Sequence, residues 1–303
     1  KNLLDIIGES ESEIVLEALN GTNNSDTKEI IAANIESKKE TIFNLVNSSV
    51  NGQYVFSGKN TDSASFEKDA VSGKINYTGS YDNKTLNVED KTYATQGVNG
   101  IELLYTPSKS AEFGSELTFS TDERILDNDG NEYGLVDTDS DGVYDGLYLN
   151  GDTSNTPIST SITNNGDGTY TASSVSVALE SKTSIFDTLD EIINALRQQD
   201  SSGNAITEDA ANQILSNSLE EIGSAYDNVN SNHAILGTRT SYIDNYEQIT
   251  EAKLTNFNIL YETYAGADLT ALAIESQSLQ NTYTALYSTI SKINSLSLVD
   301  YLK

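Results

Sequence analysis

The chain has no cysteine among its 303 residues. Disulfides and thiol chemistry are therefore excluded, and the redox compartment leaves no mark. Only two prolines occur, Pro107 and Pro157, so long uninterrupted helices are permitted elsewhere. A single histidine, His233, excludes zinc sites that need two imidazoles. Any Ser-His-Asp triad would have to use it, yet it lies in a helical stretch without a neighbouring nucleophile motif, which suits a helix surface or a bundle interface. No apolar run approaches the roughly 18 residues of a membrane helix. Hydrophobic residues make up 37% of the chain, below the usual share, so compact cores must be small or the shape extended. Positive charge is scarce too: 17 Lys and Arg stand against 46 Asp and Glu, a net charge of −29. Such a surface repels phosphate backbones and anionic lipid, which argues against nucleic acid and membranes as partners and for solubility. Glycines fall singly at turns, and no glycine-rich phosphate loop is present. The chain lacks an initial Met and begins inside a helical pattern at Leu3, Leu4, Ile6 and Ile7. The expectation is that the natural N-terminus, with any targeting signal, precedes Lys1.

The hydrophobic period divides what is there. Residues 1–52 read as two helices. The first carries Leu3, Ile7, Ile14, Leu16 and Leu19 and stops at Asn20-Gly21. The second is capped by Asp26 or Thr27, holds Ile31, Ile35, Ile42 and Leu45, and ends near Asn51-Gly52. From Gln53 the period turns strand-like. Tyr54–Phe56, Ile75–Tyr77, Thr85–Val88, Ile101–Tyr105, Glu116–Phe119, Tyr133–Val136, Leu147–Leu149, Thr169–Ala172 and Val175–Leu179 are separated by Gly, Asn, Asp and Ser, as in a domain of short antiparallel strands. Residues 53–182 are thus a β-rich insertion. Helix returns at Thr183 or Ser184, an N-cap ahead of Ile185, Phe186, Leu189, Ile192, Ile193 and Leu196. After a turn at Asp200–Gly203, Thr207 caps the next helix, and Glu208 and Asp209 suit its dipole.

The last third carries two stripes. Leu236, Ile243, Tyr246, Phe257, Leu260 and Tyr264 form a loose one. Leu269, Leu272, Ser276, Leu279, Tyr283, Leu286, Ile290, Ile293 and Ser297 alternate by three and four, the seam of a heptad repeat. Gly266 breaks the phase between them. The fold class expected is α+β: a helical coiled-coil or bundle stalk from the two terminal segments, with an inserted β-rich domain. Its divisions are residues 1–52, 53–182, 183–264 and a terminal assembly helix at 265–303. The first stripe is expected to pack on residues 1–52. The seam of Leu269, Leu272, Leu279, Tyr283, Leu286, Ile290 and Ile293 should be the assembly surface.

Four local motifs go further. Gly52-Gln53-Tyr54-Val55-Phe56-Ser57-Gly58, then Phe66 with Gly73-Lys74-Ile75-Asn76-Tyr77-Thr78-Gly79, then Ile185-Phe186-Asp187-Thr188-Leu189, and finally Ser297-Leu298-Val299-Asp300-Tyr301-Leu302 resemble the bacterial flagellin superfamily, and within it the hook-associated proteins. The likeness covers residues 1–100 and 183–303. Flagellins proper usually carry E-F-N-G-x-x-L-L-x-G where this chain has Gln53–Gly58. The resemblance implies a non-enzymatic, secreted, extracellular component of the flagellum that joins the hook-associated ring to the filament. Its implied partners are copies of itself in a ring, a neighbouring hook-associated protein, flagellin and an export chaperone. It also implies a further helix ahead of Lys1 as the natural partner of residues 267–303. The alternatives are a flagellin that forms the filament itself, or a Ca²⁺-dependent adhesive or hydrolytic β domain on a helical stalk.

One stretch is chemically sharp. Asp137-Thr138-Asp139-Ser140-Asp141-Gly142-Val143-Tyr144-Asp145 follows D-x-D-x-D-G-x-x-D. It offers carboxylates from Asp137, Asp139, Asp141 and Asp145 and a backbone carbonyl at Val143, a pattern suited to Ca²⁺. Tyr148 stands where an EF-hand has its bidentate Glu, and the flanks read as strands, so the loop is similar to thrombospondin type 3 or dockerin-type loops. Asp127-Asn128-Asp129-Gly130 could add ligands. A solvated acidic turn accounts for the same residues. Acidic pairs such as Glu220-Glu221 and Asp190-Glu191 read as solvated helix faces. Tyr264, Tyr283 and Tyr287 read as seam packing, and Tyr54, Tyr77 and Tyr105 as core.

Overall fold

A computed structural model describes residues 2–9, 25–70, 73–121, 123–166, 168–201 and 203–300. The expected apolar positions Ile14, Leu16 and Leu19 and the stop at Asn20-Gly21 lie outside the described residues. Two compact units emerge, Lys1–Ser241 and Tyr242–Lys303.

Within the first unit, α1 (Asn2–Glu9) and α2 (Ser25–Val46) precede the strands. Helix α2 buries Lys28, Ile31, Ala32, Ile35, Lys39, Ile42 and Val46, a heptad-like stripe in which Val46 takes the core place expected of Leu45. Asn51-Gly52 does not end that helix. Asn51 and Gly52 have φ of 54° and 79° and close a two-residue hairpin between β1 (Ser49–Val50) and β2 (Gln53–Tyr54), with Val50 opposite Gln53. Asn-Gly is the pair such a turn demands, because both central residues need positive φ.

Two short hairpins follow, β3 (Phe66–Lys68) with β4 (Ile75–Tyr77) and β5 (Lys84–Glu89) with β6 (Thr92–Gln96). The stretch Ile101–Tyr105, expected as a strand, is instead helix α3 (Gly100–Leu104) up to its last residue. The cause is local: the Asn99 side chain accepts from the Glu102 backbone N–H at 2.8 Å and the Glu102 carboxylate accepts from the Asn99 N–H, a capping box that starts a helix outright. The chain then builds β7 (Tyr105–Ala111), β8 (Leu117–Ser120), β9 (Arg124–Asp127), β10 (Glu132–Val136), β11 (Gly146–Leu149), β12 (Ser161–Asn164), β13 (Thr169–Ser173) and β14 (Leu179–Ser184). They form a five-stranded antiparallel sheet, β11-β10-β9-β14-β7, and a three-stranded one, β12-β13-β8. Val175–Leu179 is not a strand. Val175 exchanges backbone bonds with Gly114 and Ser115, and the strand begins only at Leu179.

Helix α4 (Ile185–Leu196) starts at the expected Ser184 cap, whose hydroxyl accepts from the Phe186 N–H at 3.2 Å. Helix α5 runs from Glu208 to Asp300, with the Thr207 hydroxyl accepting from the Ala210 N–H at 3.2 Å. Its first part buries Ala211, Leu215, Ser218, Ile222, Ala225, Val229 and Asn232, three and four residues apart.

The first unit holds two cores. One, between the sheets, gathers Leu117, Phe119, Ile125, Leu147, Ala172 and Val175. The other joins α1, α2, α4 and the first part of α5 to an aromatic node. The alternation of β9 serves both: Ile125 belongs to the sheet core, Leu126 to the helical one. In the node, Phe66 meets Tyr77 at 5.2 Å and Phe186 at 5.5 Å between ring centroids, both edge-to-face, the arrangement the ring quadrupoles favour. The Tyr77 hydroxyl donates to Ser80 O at 2.8 Å. Glycines make room for it. A Cβ on Gly100 would lie 2.6 Å from the Tyr77 ring and 2.7 Å from Phe66, and one on Gly79 2.5 Å from the Tyr77 hydroxyl. The helices are tied by ions as well. The Lys39 ammonium sits 2.5 and 2.6 Å from the two Asp190 oxygens, Lys28 reaches Glu208 at 3.1 Å, and Arg197 reaches Glu29 at 3.0 Å and Glu36 at 3.3 Å.

Along the upstream stripe Leu236, Ile243 and Tyr246 are half-buried, and Phe257, Leu260 and Tyr264 are exposed. Helix α5 continues through Gly266. At about 100° per residue, the change of phase there rotates the apolar stripe by roughly a third of a turn on an unbroken helix.

Candidate assembly surface

Helix α5 from Tyr242 onward presents the seam to solvent. Leu269, Leu272, Leu279, Tyr283, Leu286 and Ile290 are all more than half exposed, from 51% at Ile290 to 70% at Tyr283. The Ile293 side chain lies outside the described residues. Leu269, Leu272, Ser276, Leu279 and Tyr283 border one shallow apolar groove along the helix. Between Leu269 and Ser291 the chain carries a single charge, Glu275. The hydroxyls of Thr282, Thr284 and Thr289 each donate to the carbonyl four residues back, at 2.8 Å. Those hydroxyls therefore need no water and leave their methyl groups to the surface. On a chain of net charge −29 this is an unusual stretch: a long apolar helix face without a repulsive rim. Single exposed apolar residues need no explanation, but a contiguous stripe marks an interaction site.

Sequence reasoning missed several members of the exposed apolar set. Tyr261 and Leu254 flank the upstream stripe, and Ile274 faces away from the seam; all three are more than half exposed. Of the tyrosines expected to pack in the seam, Tyr264, Tyr283 and Tyr287 are exposed, whereas Tyr77 and Tyr105 are buried as expected of core residues.

The acidic loop connects β10 to β11. Asp137, Asp139 and Asp145 each place a carboxylate oxygen within 4.8 Å of the others. Asp141 is not among them and accepts from the Val143 N–H at 2.8 Å. Backbone amides already hold much of the loop. Asp137 accepts from the N–H groups of Ser140 at 2.7 Å and Gly142 at 2.8 Å, and Asp145 from that of Thr138 at 2.7 Å. Bonds from the Thr138 hydroxyl and amide hold the Asp145 carboxyl below its usual range. At Asp139 the bond from the Asp141 amide pulls down, but the carboxylates of Asp141, Asp145 and Asp137 outweigh it and raise the group. Asp127 stays apart, closing its own turn with the amides of Asp129 and Asn131 and the Tyr133 hydroxyl.

His233 is an exposed residue in mid-helix. Asp190 is the partner of Lys39. Glu220 is exposed, while Glu221 accepts from the buried Thr188 hydroxyl at 2.9 Å. No described helix is long and apolar enough to cross a membrane.

An α+β chain of this layout, strand-rich between terminal helices and ending in one long helix, has the fold of the flagellar hook-associated proteins. Among solved structures, it is similar to FlgL of Xanthomonas campestris, with a TM-score of 0.55 at 20% identity over 86% of this chain and 90% of that one. It is also similar to flagellar hook-associated protein 3 of Legionella pneumophila, with a TM-score of 0.53 at 18% identity over 84% of this chain and 86% of that one. No protein-family profile matches the sequence, and no curated protein does.

Proposed function

We propose that the chain is a structural component of the bacterial flagellum that joins the hook-associated ring to the flagellin filament by helix packing between subunits. The observation that carries this reading is the exposed, nearly uncharged seam from Leu269 to Ile290 on a strongly acidic protein. Burying each of its large side chains against a neighbouring helix is worth about 1.5–3 kcal/mol, and copies of a chain this acidic meet with least repulsion where the surface carries one charge. The shared fold, the four sequence motifs and the absence of thiols, which suits export as an unfolded chain, support it. The partners are other copies of the chain, an adjoining hook-associated protein and flagellin, with a chaperone covering the seam before export. The location is extracellular, and the role is not enzymatic.

Purified protein tests this reading against the flagellin alternative. Added to isolated hooks that bear the adjoining hook-associated protein, it should form a layer that stops growing and then accepts flagellin. Long filaments built from this chain alone would identify a flagellin instead.

The convergence of Asp137, Asp139 and Asp145 favours a second, subsidiary reading, a weak Ca²⁺ site that stiffens the β10–β11 loop. Three clustered carboxylates without a bidentate Glu fit the about 10⁻⁴–10⁻³ M range of extracellular modules.

A further inference from the structure

Helix α5 is held to the first unit in two different ways. As far as Val229 the anchors are apolar: Leu215, Ile222 and Val229 are buried. From Asn230 to Ser241, Asn232 is buried, Leu236 and Arg239 are half-buried and the other residues are exposed. What this stretch meets is α3. A five-residue helix leaves its last carbonyls without partners inside the helix, and α5 supplies the missing donors. The Asn228 amide donates to Glu102 O at 2.9 Å and Leu103 O at 3.1 Å. The Asn232 amide donates to the same Glu102 O at 2.7 Å and to Asn228 O at 3.0 Å. Further along α5, Arg239 donates to Gly97 O and lies 3.6 Å from the Glu102 carboxylate. That carboxylate accepts from the Asn83 amide at 2.8 Å on each oxygen and from the Asn99 N–H at the head of α3. Glu102 thus joins the network twice, by its side chain at the start of α3 and by its carbonyl at the end.

We propose that α3 is the keeper of a polar latch: Asn228, Asn232 and Arg239 close on it, and residues 230–241 open and reclose together with α3 while Ala211–Val229 stays packed. Two physical reasons support this. A segment with few buried apolar contacts opens more readily than the packed core around it. A buried carbonyl, moreover, gains little from being bonded but is costly to leave unpaired, so breaking one bond to Glu102 O favours breaking the rest and letting water in. Opening frees about three turns of α5 just ahead of Tyr242, where the second unit begins, and uncaps α3 in the same step. The latch lies outside the acidic loop and the seam, so it is independent of the function proposed above.

Native-state hydrogen exchange of the full chain, read by mass spectrometry, tests it with Asn232→Leu, Arg239→Gln and Asn230→Leu. In the wild type, α3 and residues 230–241 should exchange at a common rate, faster than Ala211–Val229. Leucine at 232 keeps the bulk and removes both N–H groups, so it should speed exchange in both stretches by about tenfold and leave Ala211–Val229 unchanged. Arg239→Gln, at a more open position, should speed the same two stretches by a smaller factor. Asn230→Leu makes the same replacement on the exposed face and should alter neither, which separates the latch from a change in helix propensity. The proposal is overturned if Asn232→Leu and Arg239→Gln speed residues 230–241 without α3, if they speed the whole first unit alike or change nothing, or if Asn230→Leu matches them.

Discussion

Cutting the ion pair between α2 and α4 should cost far more from one side than from the other. The Lys39 side chain is 8% exposed, and its ammonium lies 2.5 Å from the nearer Asp190 oxygen, whereas the Asp190 side chain is 35% exposed. Asp190→Ala strands a buried ammonium among Ile35, Ile42 and the apolar face of α4. Breaking a fully buried pair in this way costs about 3–5 kcal/mol. Because Asp190 is about a third open to water, which screens the pair, a figure of about 2–3 kcal/mol is appropriate. The first unit has 241 residues, and for that size about 1 kcal/mol moves Tm by roughly 2–4 °C. Asp190→Ala should therefore lower Tm by about 4–12 °C in differential scanning calorimetry. Lys39→Met keeps the apolar stem and leaves a partly hydrated carboxylate, so it should cost less than half as much. Equal losses from the two substitutions, or an Asp190→Ala loss within error of zero, would refute the view that the stranded buried charge sets the penalty.

Three further outcomes follow from the same structure. Gly100→Ala places a Cβ 2.6–2.7 Å from Tyr77 and Phe66, so it should destabilise the first unit by about 1–3 kcal/mol, read as a lower denaturation midpoint in urea with an unchanged slope. Millimolar Ca²⁺ should raise Tm and release heat in titration calorimetry, and Asp137→Ala should abolish both responses; no heat and no shift in the wild type removes the metal reading. Burial raises the Glu221 carboxyl above an ordinary glutamate, and a carboxyl raised by folding stabilises the fold as it takes up its proton, so acidification from pH 7.5 to 5 should stabilise the Glu221→Gln variant less than the wild type; equal gains in Tm would refute this.

The fold class was legible because the hydrophobic period changes twice, from helical to strand-like at Gln53 and back at Ser184. Both switches fall within a few residues of where the structure makes them. The flagellin-like motifs were legible for a reason the structure makes physical. Phe66, Tyr77, Gly79 and Phe186, distant in sequence, are the rings and the gap of one aromatic node, and Tyr77 also donates to the carbonyl of Phe56 at 3.2 Å. Local chemistry hid other elements. Ile101–Tyr105 has a strand's composition, and only the Asn99-x-x-Glu102 capping box reveals a helix. Strands such as β12, with Ser, Thr and Asn facing solvent, bury too little to leave an alternating signature. A heptad pattern states that a face wants a partner without stating which one. The acidic loop shows the same limit: spacing named five candidate ligands, but the turn geometry that gathers three of them depends on Ser140 and Gly142 at φ of 61° and 89°.

The most direct test of the assembly surface is to introduce a charge at its centre. Leu279→Asp and Leu286→Asp should leave the melting of the first unit unchanged, since both side chains are already in water, 60% and 56% exposed. In cells that make either variant in place of the wild type, antibody labelling should find no layer of this chain between hook and filament, and motility should be lost. Labelled junctions and normal swimming with both variants would contradict the claim that this helix face holds the assembly together.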